Sequence, residues 1–165
     1  MSTIGVAGIE RVAAMVAAER PDVTLFDALG QRTVWVGPVG AGSRLKLVNN
    51  TLVAFAAEAV AASAALASQL GLQNDKVLQA LGGGPLVSPW QAAKLQRIAK
   101  GEFSAQFALS LSLKDVGLAL QAAGDDRFAA LAGLADEWQR VVDQGLGGQD
   151  LTVVTRWLEH GGGAR

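Results

Sequence analysis

The stretch from Gly37 to Asn50, GPVGAGSRLKLVNN, places one lysine and two asparagines on a single turn of an otherwise apolar segment. At 3.6 residues per turn, Lys46, Asn49 and Asn50 share one patch, because offsets of three and four are neighbours on a helix. Leu45, Leu47, Val48, Leu52, Val53 and Phe55 surround them. Two readings are open. A solvated helix start would point the lysine outward and let the asparagines bond locally. A lysine drawn into an apolar setting instead has its pKa lowered from about 10.4 toward values useful for acid–base work, and can then both donate and accept a proton. Two details weaken the first reading and leave both open. No acid lies three or four residues from Lys46, and paired asparagines inside a helix cost propensity without an evident return.

A second lysine shows the same anomaly. Within residues 105–123, Phe107, Leu111, Lys114 and Leu118 fall in one narrow helical stripe, so Lys114 interrupts an apolar face. Leu109, Leu113, Val116 and Leu120 form a further stripe on the far side, and a helix buried on both faces is expected. Lys114 is then either a lysine snorkelling at a domain edge beside Asp115 or a cation aimed into a cleft. Metal chemistry is not expected. The chain has no cysteine, and its single histidine, His160, sits in a glycine-rich tail, so neither a thiolate site nor a histidine cluster can form.

The elements that must position these residues divide at about Gly37–Gly42. Before it, VAGIERVAAMVAAERPD has helical apolar spacing that ends at Pro21, and the extended runs VTLFDA and RTVWVG follow it. This pattern assigns residues 1–37 to a short α/β piece. After it the pattern is helical: 43–70, about 74–81, 89–100, 105–123, 127–144 and a short helix near 151–159. Glycine and aspartate in GGGP, KGEF, AGDD and GLGGQD mark the breaks. Residues 38–165 therefore form an all-α domain, and the fold class is mostly α.

Charge and hydropathy narrow the partners. Fourteen Lys and Arg against fifteen Asp and Glu leave a net charge of −1, which gives no footprint for nucleic acid or an anionic membrane. The run TLVAFAAEAVAASAALASQL approaches membrane-span length, but its alanines and serines with Glu58 and Gln69 favour a buried helix. The N-terminus lacks a basic start followed by an apolar run and a cleavage site, so a cytoplasmic protein is expected. The long helix has more apolar surface than a small domain can bury, which points to a homodimer or tetramer.

At the residues singled out above, the chain resembles the β-hydroxyacid dehydrogenase family, the group that includes 3-hydroxyisobutyrate dehydrogenase and tartronate semialdehyde reductase. The family's motif G-x-G-x-x-x-K-x-x-N-N is matched by Gly40, Gly42, Lys46, Asn49 and Asn50. A second motif, K-D-[LMV]-x-L-A after spaced phenylalanines, is matched in FSAQFALSLSLKDVGLAL. The resemblance runs from Gly37 to about Asp150 and implies the helical C-terminal domain of the 6-phosphogluconate dehydrogenase type. It implies that Lys46 is the general acid/base, that Asn50 steadies it and the substrate, and that Gly42 and Asn49 lie at the substrate. It also implies that Lys114 and Thr3 meet an NAD or NADP cofactor. Imine reductases share this architecture but usually carry another residue at the lysine position, so Lys46 implies an alcohol or aldehyde substrate.

The α/β piece resembles parts of the family's Rossmann domain. No G-x-G-x-x-G fingerprint is present, and Asp27–Ala28 runs into LGQRTVWVGPVG where the family has a D-A-P-V-S-G substrate loop. GGGP at 82–85 follows a helix rather than a strand and is no substitute. The expectation is a part of an NAD(P)-dependent oxidoreductase that interconverts a small 3-hydroxy acid and its semialdehyde, and that binds the cofactor weakly without the phosphate cradle. The rival expectation is a non-catalytic helical dimerisation module.

Overall fold

The computed structural model of the chain describes residues 34–124 and 126–162. Thr3 and the helix and first extended run expected before residue 34 lie outside the described residues. The described part of RTVWVG is not the strand expected from its sequence: residues 34–37 are irregular. Val34 and Trp35 are exposed, and the described residues offer them no neighbouring strand, without which β-branched propensity forms no ladder.

Helix α1 spans Ala41–Gln69. It begins where Gly40 takes a left-handed φ of 88°, a conformation glycine adopts without a Cβ penalty. The Ala41 amide donates to Pro38 O at 2.9 Å and the Arg44 amide to Gly40 O at 3.1 Å. The helix ends in a Schellman turn: Gly71 is left-handed, and the Leu72 amide reaches back to Ala67 O at 2.8 Å. The chain divides into two compact units within α1, after Asn50, and the two are described separately.

In the unit from Thr51 onward, alanine decides how α1 packs. Ala54, Ala57, Ala61 and Ala64 are fully buried at spacings of three and four, forming a face of small side chains against which neighbouring residues can come close. Helix α2, Asn74–Leu81, packs on α3, Pro89–Ala99. Ser88 caps α3 reciprocally: its hydroxyl accepts from the Gln91 amide at 3.2 Å, and its amide donates to Gln91 Oε1 at 2.9 Å. Helix α4, Leu109–Ala123, ends at left-handed Gly124 and packs on α5, Ala129–Val141. A π turn over Val142–Leu146 follows. A 3-10 turn, Leu151–Val153, leads into α6, Val154–Glu159. The core joins the α1 alanines to Leu95, Leu109, Val116, Trp138, Val141 and Leu151.

Among the described residues there is no strand, only an isolated antiparallel bridge between Ala108 and Asp150, so the mostly α class holds. Two sequence expectations need correction. Helix α4 begins at Leu109 rather than 105, because residues 103–108 are drawn into extended contacts with the turn around Asp150. Nor is α4 buried on both faces. Leu109 and Val116 are buried, while Leu111 and Leu118 are exposed.

Candidate active site

The first three turns of α1 carry the residues whose types suggest chemistry. Lys46 and Asn49 are half-buried and Asn50 is buried, and their 3–4 spacing on a continuous helix brings the three onto one patch. Asn50 is also engaged in an interaction within the chain. The two glycines of the motif play different parts. Gly40 supplies the left-handed turn ahead of the helix, and Gly42 lies buried inside its first turn. Among the described residues no carboxylate forms an ion pair with Lys46. Lys46 thus stands half-buried beside two amides, and its ammonium carries three N–H donors.

Lys114 lies on α4 in the second unit. Its side chain is 62% exposed, and Nζ sits 3.6 Å from Asp115 Oδ1. An exposed pair of this kind contributes little to stability and leaves the ammonium accessible to a ligand from solution.

Sequence reasoning missed a third lysine. Lys94 on α3 is 2% exposed and pairs with Asp150, which is fully buried. Lys94 Nζ donates to both Asp150 oxygens, at 2.9 and 2.8 Å, and to Gln106 Oε1 at 3.1 Å. The carboxylate further accepts from the amides of Gln106 at 3.0 Å, Phe107 at 3.2 Å and Thr152 at 3.3 Å, and from the Thr152 hydroxyl at 2.9 Å. Burial pushes the Asp150 carboxyl up, but the Lys94 ammonium, the Thr152 hydroxyl and the Gln106 amide outweigh it and hold it below the ordinary value. The signal was available on α3, where Lys94 shares a face with buried Leu95 and Ile98. Asp150 read only as a helix break.

One carboxyl moves the other way. Glu58 of α1 accepts from Trp138 Nε1 at 2.7 Å. Burial raises its pKa, the Trp138 hydrogen bond opposes the rise, and the negative charge of Glu137 adds to it. No group of three or more His, Cys, Asp or Glu that could hold a metal occurs among the described residues.

The helical architecture is that of one half of a hydroxy-acid dehydrogenase. The chain is similar in fold to 3-hydroxyisobutyrate dehydrogenase from Salmonella typhimurium, with a TM-score of 0.74 at 22% identity over 79% of this chain and 47% of that one. Residues 40–158 match the family described as the NAD-binding domain of NADP-dependent 3-hydroxyisobutyrate dehydrogenase, and the chain belongs to that family. Its relatives include β-hydroxyacid dehydrogenases. It is 31% identical to glyoxylate/succinic semialdehyde reductase 1 of Arabidopsis thaliana, over 80% of this chain and 46% of the relative. It is 37% identical to 2-hydroxy-3-oxopropionate reductase of Escherichia coli K12, over 60% and 34%. A third relative carries a different name: cytokine-like nuclear factor N-PAC of Anopheles gambiae, 29% identical over 78% and 23%. The chain thus spans about half the length of the Arabidopsis relative, and less of the other two. NAD or NADP, the cofactor class expected from the sequence, is that of the family.

Proposed function

We propose that the chain forms the helical half of a cytoplasmic NAD(P)-dependent oxidoreductase that interconverts a small 3-hydroxy acid and its semialdehyde, with Lys46 as general acid/base. The observation that carries this reading is a half-buried lysine that pairs with no carboxylate among the described residues, on one helical turn with Asn49 and Asn50. The helical unit is then a domain of the 6-phosphogluconate dehydrogenase C-terminal type.

A bound nicotinamide supplies hydride transfer. In the oxidative direction Lys46 Nζ accepts the hydroxyl proton of the substrate, and in the reductive direction it returns that proton to the carbonyl oxygen. Asn50 orients the lysine and the substrate, and Asn49 with Gly42 lines the place where the hydroxy acid lies. The fit of the cofactor to the described residues is local. Lys114, exposed on α4, suits a ribose hydroxyl or phosphate, while no glycine-rich fingerprint in the sequence offers a pyrophosphate cradle.

The test is the rate of NAD(P)H formation from a panel of short 3-hydroxy acids, in the protein that carries this domain. Lys46→Ala is expected to lower turnover by roughly 10²–10⁴. Lys46→Arg should fail almost as badly, since arginine keeps its charge but does not release a proton near neutrality. Equal rates for wild type and Lys46→Arg would end the reading. Asn50→Ala should lower turnover less than loss of the lysine.

A non-catalytic helical dimerisation module is the second reading; the N-PAC relative is named as a nuclear factor rather than as a dehydrogenase or reductase. Both readings share an assembly. Leu52, Phe55 and Leu66 on α1 are exposed, and apolar surface of this kind suits a second subunit. A monomeric mass in light scattering at micromolar concentration would contradict a homodimer or tetramer. By length and composition α1 would also pass for a membrane span, and its buried alanine face favours a core helix instead.

A further inference from the structure

We infer that Asp150 is a positioning residue: its carboxylate, neutralised by Lys94, fixes where α4 begins and thereby sets the register of Lys114 on that helix. The second half of this inference rests on the cofactor role proposed above for Lys114.

The chain between α3 and α4 has little of its own to hold it. Residues 103–108 form no helix, although the sequence pattern reads as helical from 105 onward. Arg97 holds Ser104 through its carbonyl and hydroxyl, and Arg156 lies over the Phe103 ring; the rest of the segment is held by a set of bonds to one side chain and its neighbours. The amides of Gln106 and Phe107 both donate to Asp150 Oδ2. The Asp150 amide donates to Phe103 O at 2.9 Å, and the Leu151 amide to Phe107 O at 3.0 Å. The first amides of α4 are then taken by the same turn: Leu109 donates to Gln149 O at 2.9 Å and Ser110 to Gly147 O at 3.0 Å. A helix start normally leaves such donors without intrahelical partners, and Ala108 provides no side-chain cap. The turn at 147–150 therefore caps α4 from outside, and the Asp150 carboxylate anchors that turn.

Lys94 and Asp150 contribute differently. The ammonium neutralises a fully buried carboxylate that would otherwise be costly to keep charged. The carboxylate oxygens receive the amides, and an asparagine side chain would keep one such acceptor. Charge and positioning can thus be separated. In Lys94→Met/Asp150→Asn both charges go and an acceptor stays. In Lys94→Met/Asp150→Ala both go together.

The experiment is amide hydrogen exchange on the 165-residue chain in these two backgrounds and in wild type. Protection at residues 106–112 should be nearly that of wild type in the asparagine variant. It should fall by about tenfold or more in the alanine variant, the size expected when two or more hydrogen bonds are lost locally, with α2 and the middle of α1 unchanged. Equal protection in the two variants, or a uniform loss over the whole chain, would overturn the positioning role. Should the alanine variant not fold, loss of protection at 106–112 in the asparagine variant alone would overturn it.

The cofactor half is read by calorimetry with NADH and NADPH, in the protein that carries this domain, with and without Lys114→Ala in each background. Lys114→Ala should weaken binding several-fold in wild type and in the asparagine variant, and should have no further effect in the alanine variant. An undiminished effect of Lys114→Ala in the alanine variant would overturn the link from Asp150 to Lys114. No effect in any background would remove the cofactor role from Lys114, while the exchange comparison still decides the anchor.

Discussion

Lys94 and Lys46 sit on helices of the same chain and are treated in opposite ways. Lys94 is almost wholly buried, and its ammonium is satisfied by both oxygens of Asp150 and by Gln106. Lys46 is half-buried on the second turn of α1 beside two asparagines, and no carboxylate among the described residues pairs with it. The first arrangement leaves no room for a substrate. The second is the arrangement on which the acid/base role proposed for Lys46 rests. The two lysines therefore differ in their partners as well as in their depth of burial.

The contrast can be broken most forcefully at Asp150. Asp150→Ala should cost about 3–5 kcal/mol in urea unfolding, because it strands a buried ammonium, and adding Lys94→Met should recover much of that loss. If Asp150→Ala costs no more than a surface substitution, Lys94 is not the structural lysine. Acid separates the same groups by sign. Asp150 has a folded pKa below its ordinary value, so its contribution is present above about pH 4 and disappears as pH falls through the lower folded value. Glu58, raised above 4.5, does the reverse: the folded state holds its proton more tightly, so ionisation weakens the fold as pH rises past 4.5. Glu58→Gln should therefore gain on wild type progressively as pH increases from 4 to 7 in unfolding titrations.

Smaller effects sharpen the comparison. Ser88→Ala removes the cap at the start of the helix that carries Lys94 and should cost about 1 kcal/mol, read as a lower denaturation midpoint. Least of all, Lys46→Ala should change stability by no more than about 0.5 kcal/mol, while removing turnover in the intact enzyme. A stability loss at Lys46 comparable to that at Asp150 would erase the distinction between the two lysines.

Local signals made most of the helices legible. The apolar period, with Gly124 in AGDD, places the C-terminal ends of α1 and α4 within about two residues of where they fall. The Lys46, Asn49 and Asn50 patch followed from spacing alone. What stayed hidden depends on residues distant in sequence. Lys94 and Asp150 are 56 positions apart, and nothing in GLGGQD names its partner. The same anchor overrides the helical pattern of 105–108, so the start of α4 was misplaced for a tertiary reason. The exposure of Leu111 and Leu118 was likewise invisible, since periodicity identifies an apolar stripe but not what covers it.

The anchor also has a temporal side. Lys94, Gln106 and Phe107 leave the ribosome well before Asp150 does, so the contacts that seat them close only once nearly all of the helical unit has been made. Closing so long a loop belongs to the slow, late part of folding, and until then the Lys94 ammonium has every reason to stay in water. A nascent or truncated chain that stops short of residue 150 would keep α3 and the start of α4 loosely held. The turn at 147–150 is thus a late-made part of the unit, and a copy that lacks it would lack the anchor for α3 and the start of α4.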